Sequence, residues 1–131
     1  MSKTKIQIRF SDIDVMGHVN NAIYLNYFEQ ARMEFFSQFI PKGWDWHKYG
    51  LLLAKNEIEY LFPVALNDDI YIDTKCIKIG NKSFDLEYSL FKGEKLCCKG
   101  KSVLVCYDYN DKKTINIPNE WLEHLNTLKA V

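Results

Sequence analysis

The feature that most constrains this fold is a long helical segment with a wide aromatic face, over about residues 21–39. With about 100° between successive side chains, its apolar residues fall on one continuous arc and its polar residues fall opposite. A helix of this length measures about 28 Å, which suits it to lying lengthwise against one large sheet. Pro41 and Gly43 are expected to end it. The apolar arc contains Tyr24, Leu25, Phe28, Ala31, Phe35, Phe36 and Phe39.

Arg32 is the exception on this helix, because it lies inside the apolar arc. A guanidinium in apolar surroundings requires a carboxylate or carbonyl partner, and Glu29, one turn earlier, is the nearest candidate. Alternatively, the stem of Arg32 lies along the apolar face and its charged head reaches water. The sequence leaves both arrangements open.

Most of the remaining sequence predicts strands, because apolar and polar residues alternate with a period of two. The first strand carries Ile6, Ile8 and Phe10 on one side and ends near Ser11. Four further runs follow the helix and are joined by short turn-forming segments, so we expect them to pair as an antiparallel meander. These runs are residues 51–62, 69–79, 82–91 and 95–109, and residues 118–125 form a short final helix.

The pattern predicts a single domain of the α+β class over residues 1–131, with the element order β-α-β-β-β-β-α. A chain of 131 residues has the size of one domain with one core. One helix cannot cover both faces of a five-stranded sheet, and a small sheet with free edge strands is prone to pair with other strands. We therefore expect self-association as a homodimer.

Composition disfavours several classes of partner and cofactor. Lys and Arg together number 17 and equal the 17 Asp and Glu residues, so no basic surface for nucleic acid is expected. The first residues are too polar for a signal peptide and no apolar run has membrane-spanning length, so we expect a cytoplasmic protein without membrane insertion. We expect reduced, buried cysteines and no metal or redox cofactor, because the cysteines form no CxxC pair. These are Cys76, Cys97, Cys98 and Cys106.

The segment from Asp12 to Asn21 carries the candidate chemistry. It places two carboxylates, an imidazole and two amides where the first strand gives way to the helix. A helix start offers unpaired N–H groups and the positive end of the helix dipole, so a carbonyl placed there would be polarised. An acid beside such a site is a candidate catalyst. By position alone, Asp12 and Asp14 are also typical of turns, and Asn20 or Asn21 can cap the helix.

Residues 9–32 resemble the opening of hotdog-fold acyl-CoA thioesterases of the 4-hydroxybenzoyl-CoA thioesterase class. The shared pattern is D-x-D-x-x-G-H-V-N-N, followed by Y and then by E-x-A-R, and the likeness continues through residues 57–63 to the final helix. The resemblance implies a long helix wrapped by an antiparallel sheet. It also implies that two subunits join their sheets, as a homodimer or a dimer of dimers, and form active sites at their interface.

The resemblance also implies roles for particular residues. Asp14 matches the catalytic carboxylate of the class, and His18 matches a catalytic histidine of related plant acyl-carrier-protein thioesterases. Those plant enzymes place an Asn two residues after the Asp, where this chain has Met16. His18 is therefore either a catalytic partner or a structural donor. Some members draw their carboxylate from a later element, which keeps Glu57 and Glu59 as alternatives.

The implied reaction is hydrolysis of an acyl-CoA thioester, which requires little machinery because a thiolate is a good leaving group. Asp14 would act as a general base or as a nucleophile. N–H groups near Gly17 and the helix start would stabilise the oxyanion. Asn20 and Asn21 are either caps or substrate contacts, and Tyr24 is either a core residue or part of the pocket wall.

Other readings stay open from the sequence. A non-catalytic acyl-CoA-binding or sensing module would use the same cleft, and a hydratase or dehydratase would also use an Asp and a His. Neither the acyl group nor the choice between CoA and acyl-carrier protein is set by the sequence. Trp44, Trp46 and His47 either cover an acyl chain or pack a loop. Asp12 is expected to serve structure, as a salt-bridge partner.

Overall fold

The computed structural model describes residues 2–128 and shows one antiparallel sheet wrapped around a long helix. The elements are β1 (Ser2–Ile6), α1 (Ile23–Ser37), β2 (Gly50–Tyr60), β3 (Ile70–Ile79), β4 (Ser83–Lys92), β5 (Lys95–Asp108), β6 (Lys113–Thr114) and α2 (Asn119–Leu128). The strand order is β1-β3-β4-β5-β2, and the two residues of β6 pair with the end of β5. This is the predicted hotdog architecture of the α+β class, with β6 as an addition.

The helix α1 approaches the sheet closely at Phe28. The Phe28 ring stacks on Tyr88 of β4, with ring centroids 4.7 Å apart and planes 9° apart. On the neighbouring strand β5, Gly100 faces the same ring, and a Cβ at this position would overlap it. Ala31 and Phe35, further along the same helix face, are fully buried. Because Gly100 has no side chain, α1 can lie this close to the sheet.

The helix begins later than predicted because Asn20 closes a turn ahead of it. The Asn20 carbonyl accepts the Ile23 N–H at 2.9 Å, and its side-chain oxygen accepts the Ala22 N–H at 2.9 Å. Ala22 occupies the N-cap position without a side-chain capping bond. The prediction that Asn20 or Asn21 caps the helix is therefore wrong, since the Asn20 side chain accepts the Ala22 N–H in the turn before the helix.

The buried face of α1 differs from the predicted arc at two positions. Leu25 is 38% exposed, whereas Tyr27, which lay outside the arc, is buried. The Tyr27 hydroxyl donates to Asp12 Oδ2 at 2.6 Å, so its polar end is satisfied inside the protein. Apolar periodicity does not reveal such a bond, because the partner of Tyr27 lies 15 residues away in a loop.

Arg32 adopts the first of its two expected arrangements. Its side chain is 10% exposed, and Nη2 lies 3.9 Å from Glu29 Oε2. Nη1 also donates to the Tyr88 hydroxyl at 3.2 Å. The guanidinium is thus held between the buried Tyr88 and the exposed carboxylate of Glu29 and is not extended into water.

The first strand lies earlier in the chain than its alternation predicted. β1 ends at Ile6, and Phe10 is 82% exposed. The Arg9 N–H donates to Asp12 Oδ2 at 2.9 Å, and the Asp12 N–H donates to the Arg9 carbonyl at 2.9 Å. These two bonds turn the chain over Phe10–Asp12, so the strand pattern cannot continue there.

The predicted meander is correct for β3, β4 and β5 but wrong for β2. β2 pairs with β5, and β3 pairs on its other side with β1. The connection over residues 61–69 is anchored by the fully buried Val64, whose carbonyl accepts the Val19 N–H at 2.8 Å. β2 therefore lies at the edge of the sheet, and residues 52–57 are exposed.

The tryptophan loop packs against the final helix. Trp121 of α2 is fully buried, and its ring centroid lies 5.4 Å from that of Trp44. Trp46 lies 6.0 Å from the same ring but is 39% exposed. Trp44 therefore packs the loop against α2, while Trp46 remains partly exposed to solvent.

The four cysteines are buried, as predicted. Burial raises the pKa of Cys98 and of Cys106 to about 12, so both thiols stay protonated at neutral pH. Neither helix in residues 2–128 combines the length and apolar character needed to span a membrane.

The bond between Tyr27 and Asp12 predicts a stability change. We expect Tyr27→Phe to lower the free energy of unfolding by about 1–3 kcal/mol, because a buried carboxylate loses a donor. Urea unfolding measures this change. Tyr71→Phe is the matched control, since within the described residues the Tyr71 ring stacks on Phe91 and its hydroxyl has no hydrogen bond. Equal losses in the two variants would contradict the assignment.

The same carboxylate predicts how stability depends on pH. Burial raises the pKa of Asp12, but hydrogen bonds from Tyr27 and Arg9 and the charge of Arg9 outweigh it, so the pKa lies below 3.8. A carboxyl with a lowered folded pKa adds stability above its unfolded pKa, and this is lost as pH falls through the folded value. We expect the free energy of unfolding to fall below about pH 4, and less steeply in Tyr27→Phe. Parallel curves for the two proteins would refute this origin.

Candidate active site

A cavity of about 420 Å³ opens beside the start of α1 and contains Asp14. Its size is within the range of small-molecule sites. It is bounded on one side by the loop before α1, and on the other by the end of β2 and the residues that follow it. The lining residues are Asp14, Met16, His18, Val19, Asn21, Tyr24, Tyr60, Leu61, Phe62 and Pro63.

Asp14 lies in a tight loop closed by its own backbone. The Asp14 N–H donates to the His18 carbonyl at 2.9 Å, and the Gly17 N–H donates to the Asp14 carbonyl at 3.0 Å. Gly17 has a φ of +81°, a conformation that favours glycine. Asp14 Oδ1 accepts the Met16 N–H at 2.9 Å. Within residues 2–128 no donor binds the other carboxylate oxygen, so Oδ2 can take a proton from water or attack a carbonyl.

Asp12 anchors this loop to the rest of the protein. It is 1% exposed, and its carbonyl accepts the Asn20 N–H at 2.9 Å. Its carboxylate binds Tyr27 of α1, and Oδ1 lies 3.2 Å from Nη2 of Arg9. The predicted structural role of Asp12 as a salt-bridge partner is confirmed.

Two tyrosines form the wall opposite the loop. Tyr24 is 3% exposed, and its ring meets that of Tyr60 edge to face with centroids 5.1 Å apart. Burial raises the pKa of Tyr24 to about 12, so its hydroxyl stays protonated at neutral pH. The Tyr60 hydroxyl donates to the Asn21 carbonyl at 2.7 Å. This bond ties the end of β2 to the helix entry.

The cavity brings together most of the residues that the sequence nominated, namely Asp14, His18, Asn21 and Tyr24. Gly17 and Asn20 are outside its lining. The Asn20 side chain is engaged by Ala22, whereas Gly17 has open space around the position of a Cβ.

Glu57 and Glu59 do not reach this cavity. They line a separate shallow hollow together with Lys99 and Lys101 of β5. Glu57 also forms an exposed ion pair with Lys55 at 2.7 Å. The geometry therefore gives no support to these two carboxylates as alternatives to Asp14.

Sequence reasoning missed the segment from Tyr60 to Phe62 as part of the site. The only available signal was an aromatic run directly before Pro63, at the end of a predicted strand. Its position beside Asp14 depends on β2 pairing with β5, which the alternation of the strands does not reveal.

A second cavity of about 460 Å³ lies at the opposite end of β2. It is mostly apolar, and its polar corner is formed by Arg32 and Glu29 of α1. The apolar walls come from α1, the tryptophan loop and the strands β2 and β5. Its lining includes Met33, Phe36, Trp46, Leu51, Leu53, Leu104 and Tyr109.

Known proteins are similar to this chain in sequence over nearly its whole length. Escherichia coli (strain K12) has a long-chain acyl-CoA thioesterase, FadM, that is 26% identical over 129 residues, 96% of this chain and 98% of the relative. A 1,4-dihydroxy-2-naphthoyl-CoA hydrolase of Microcystis aeruginosa is 28% identical over 128 residues, 93% of each chain.

A solved structure is also similar to this chain over nearly its whole length. The crystal structure of a thioesterase complexed with coenzyme A and Zn from Thermus thermophilus superposes with a TM-score of 0.86 at 29% identity. It covers 98% of this chain and 93% of that chain. The family described as the Thioesterase-like superfamily matches residues 8–125. The chain therefore belongs to the thioesterase-like superfamily.

Proposed function

We propose that this protein hydrolyses acyl-CoA thioesters, with Asp14 as the catalytic carboxylate. The observation that carries the proposal is the position of Asp14 in the cavity beside α1, with Oδ2 unbonded within residues 2–128. Membership of the thioesterase-like superfamily supports the reaction class. A similar structure with bound coenzyme A supports the carrier.

Asp14 offers two routes to the same products. As a general base it takes a proton from water while the water oxygen bonds to the thioester carbonyl carbon. As a nucleophile, Oδ2 bonds to that carbon and forms an anhydride, which water then hydrolyses. In both routes the C–S bond breaks and the thiolate of CoA leaves, and it needs little acid assistance because thiol pKa values lie near 8.5.

The carbonyl oxygen gains negative charge in either route and requires donors. Within residues 2–128, the N–H groups of His18 and Asn21 have no hydrogen-bond acceptor, both residues line the cavity with Asp14, and the helix dipole is positive at this end. One such donor contributes about 3–4 kcal/mol to lowering the barrier. His18 lines the same cavity, where its imidazole can orient Asp14 or donate to the carbonyl.

The free edge of β2 supports a homodimer, alone or as half of a dimer of dimers. The strand is 11 residues long, and its middle is exposed on both faces. Such an edge is a ready template for another strand, and a second copy of β2 would continue the sheet. In this arrangement each active site lies close to the subunit boundary, because Tyr60 belongs to both the cavity and the edge strand.

The role of Asp14 predicts a loss of activity. We expect Asp14→Asn to lower the rate of CoA release by at least about 100-fold, because the base or nucleophile is lost. The amide keeps an oxygen that can accept the Met16 N–H, so the loop can retain its shape. Free CoA is measured with a thiol-reactive dye on a panel of acyl-CoAs.

Asp111→Asn is the control for this experiment, since Asp111 is exposed and its carboxylate lies 3.9 Å from Lys113 in an exposed ion pair. Equal rates for wild type and Asp14→Asn would overturn the role of Asp14. Tight binding of acyl-CoA without turnover on any chain length would instead indicate a binding or sensing module.

A further inference from the structure

The second cavity contains a buried cation with few partners. A guanidinium carries five N–H donors. Within residues 2–128, Arg32 has the Tyr88 hydroxyl at 3.2 Å and the Glu29 carboxylate at 3.9 Å. Because buried charges require partners, the open side of this guanidinium favours an oxygen atom supplied from the cavity.

The charge of the neighbouring Glu29 limits which kind of oxygen atom can bind there. Glu29 lies at the same corner and is 67% exposed at its side chain. Its negative charge disfavours a carboxylate ligand, whereas a hydroxyl group can accept from Arg32 and donate to Glu29. The remaining walls are apolar, so the body of the ligand is a hydrocarbon.

This cavity lies at the other end of α1 and of β2 from Asp14 of the same chain. Tyr24 and Arg32 are eight residues apart on α1, which corresponds to about 12 Å. Along β2, Leu51 and Tyr60 are nine residues apart, which corresponds to about 30 Å. The two cavities therefore open at opposite ends of the edge strand.

Charge favours one of the ways in which two β2 strands can pair about a two-fold axis near the middle of the strand. With Asn56 at the axis, Lys55 of each copy lies opposite Glu57 of the other. An axis at Lys55 or at Glu57 would place like charges opposite each other, which is destabilising. The sequence of β2 thus favours an antiparallel pair centred on Asn56.

This pairing brings the two kinds of cavity together. Leu51, Leu53 and Tyr60 pair with Cys106, Leu104 and Cys98 of β5, all buried, so their side chains share the helix-facing side of the sheet. In a pair centred on Asn56, residues equally far from Asn56 on the two strands lie opposite each other. With the irregularity between Leu53 and Lys55 included, Tyr60 of one copy lies beside the Leu51–Leu53 segment of the second. Neighbouring strands are about 4.8 Å apart, so the cavities adjoin across the boundary.

The thioesterase resemblance implies active sites at the subunit interface, and in the pairing above the cavity beside Arg32 adjoins Asp14 of a second copy. We propose that this cavity selects acyl chains ending in a hydroxyl group. This inference rests on the proposed thioesterase function and names its substrate class. Met33, Trp46 and Leu53 bound the hydrocarbon part, and Arg32 with Glu29 binds the terminal oxygen.

Kinetics on matched substrates test the selectivity. For straight-chain acyl-CoAs of several lengths, with and without a terminal hydroxyl, we expect kcat/KM to be about tenfold higher for the hydroxylated member at the best length. Arg32→Met should abolish this difference, so that the hydroxylated and the plain chain have equal kcat/KM in the variant. Lys42→Met, at an exposed position, is the control.

The outcomes separate this inference from the function on which it rests. Hydrolysis by wild type without a preference, or a preference that survives in Arg32→Met, would overturn the inference and leave the thioesterase function standing. No hydrolysis of any acyl-CoA would overturn both.

Subunit mixing tests the shared site and does not require a change at a buried position. Leu53 is 45% exposed, so Leu53→Trp can fill the cavity without disturbing the core. Alone, we expect Asp14→Asn to be inactive on all chains and Leu53→Trp to be inactive on long chains only. Co-expressed, they form mixed dimers in which one site combines an intact Asp14 with an intact cavity.

The expected recovery is about one quarter of the wild-type rate on long chains, since half of the randomly paired dimers are mixed and each has one working site. If dimers shown to be mixed recover no activity, each cavity acts only with the Asp14 of its own chain and the proposal is refuted.

Discussion

The buried bond between the Tyr27 hydroxyl and the Asp12 carboxylate is the interaction on which the site depends. Through Asp12 it joins the turn that follows β1, where the Arg9 N–H donates, to the segment before α1, where the Asn20 N–H donates. Asp14 follows two residues later in a tight loop closed by its own hydrogen bonds. The position of Asp14, the proposed catalytic carboxylate, is therefore fixed by the neighbouring buried carboxylate of Asp12.

Much of the fold could be predicted from local patterns. The period-two runs identified the long strands, and the apolar arc identified Phe28, Ala31 and Phe35 as core residues. The errors lie where distant contacts decide. Tyr27 is buried because a loop supplies its hydrogen-bond partner, and β2 pairs with β5 because residues 61–69 carry the chain across the sheet.

The site was predictable to the same extent and for the same reason. Asp14, His18 and Tyr24 belong to one continuous motif, so short-range spacing is enough to bring them together. Tyr60 comes from a strand 36 residues beyond Tyr24. Its place depends on sheet order, which no periodicity in β2 encodes. The cavity at Arg32 likewise needs the tryptophan loop and the edge strand to be placed before it exists.

Within residues 2–128, no residue lines both the cavity at Asp14 and the cavity at Arg32. A substitution in one therefore leaves the surface of the other unchanged. The proposed chemistry and the proposed choice of acyl group therefore depend on different residues. An exchange at Met33, Trp46 or Leu53 would reshape the cavity beside Arg32 while the loop that holds Asp14 keeps its sequence.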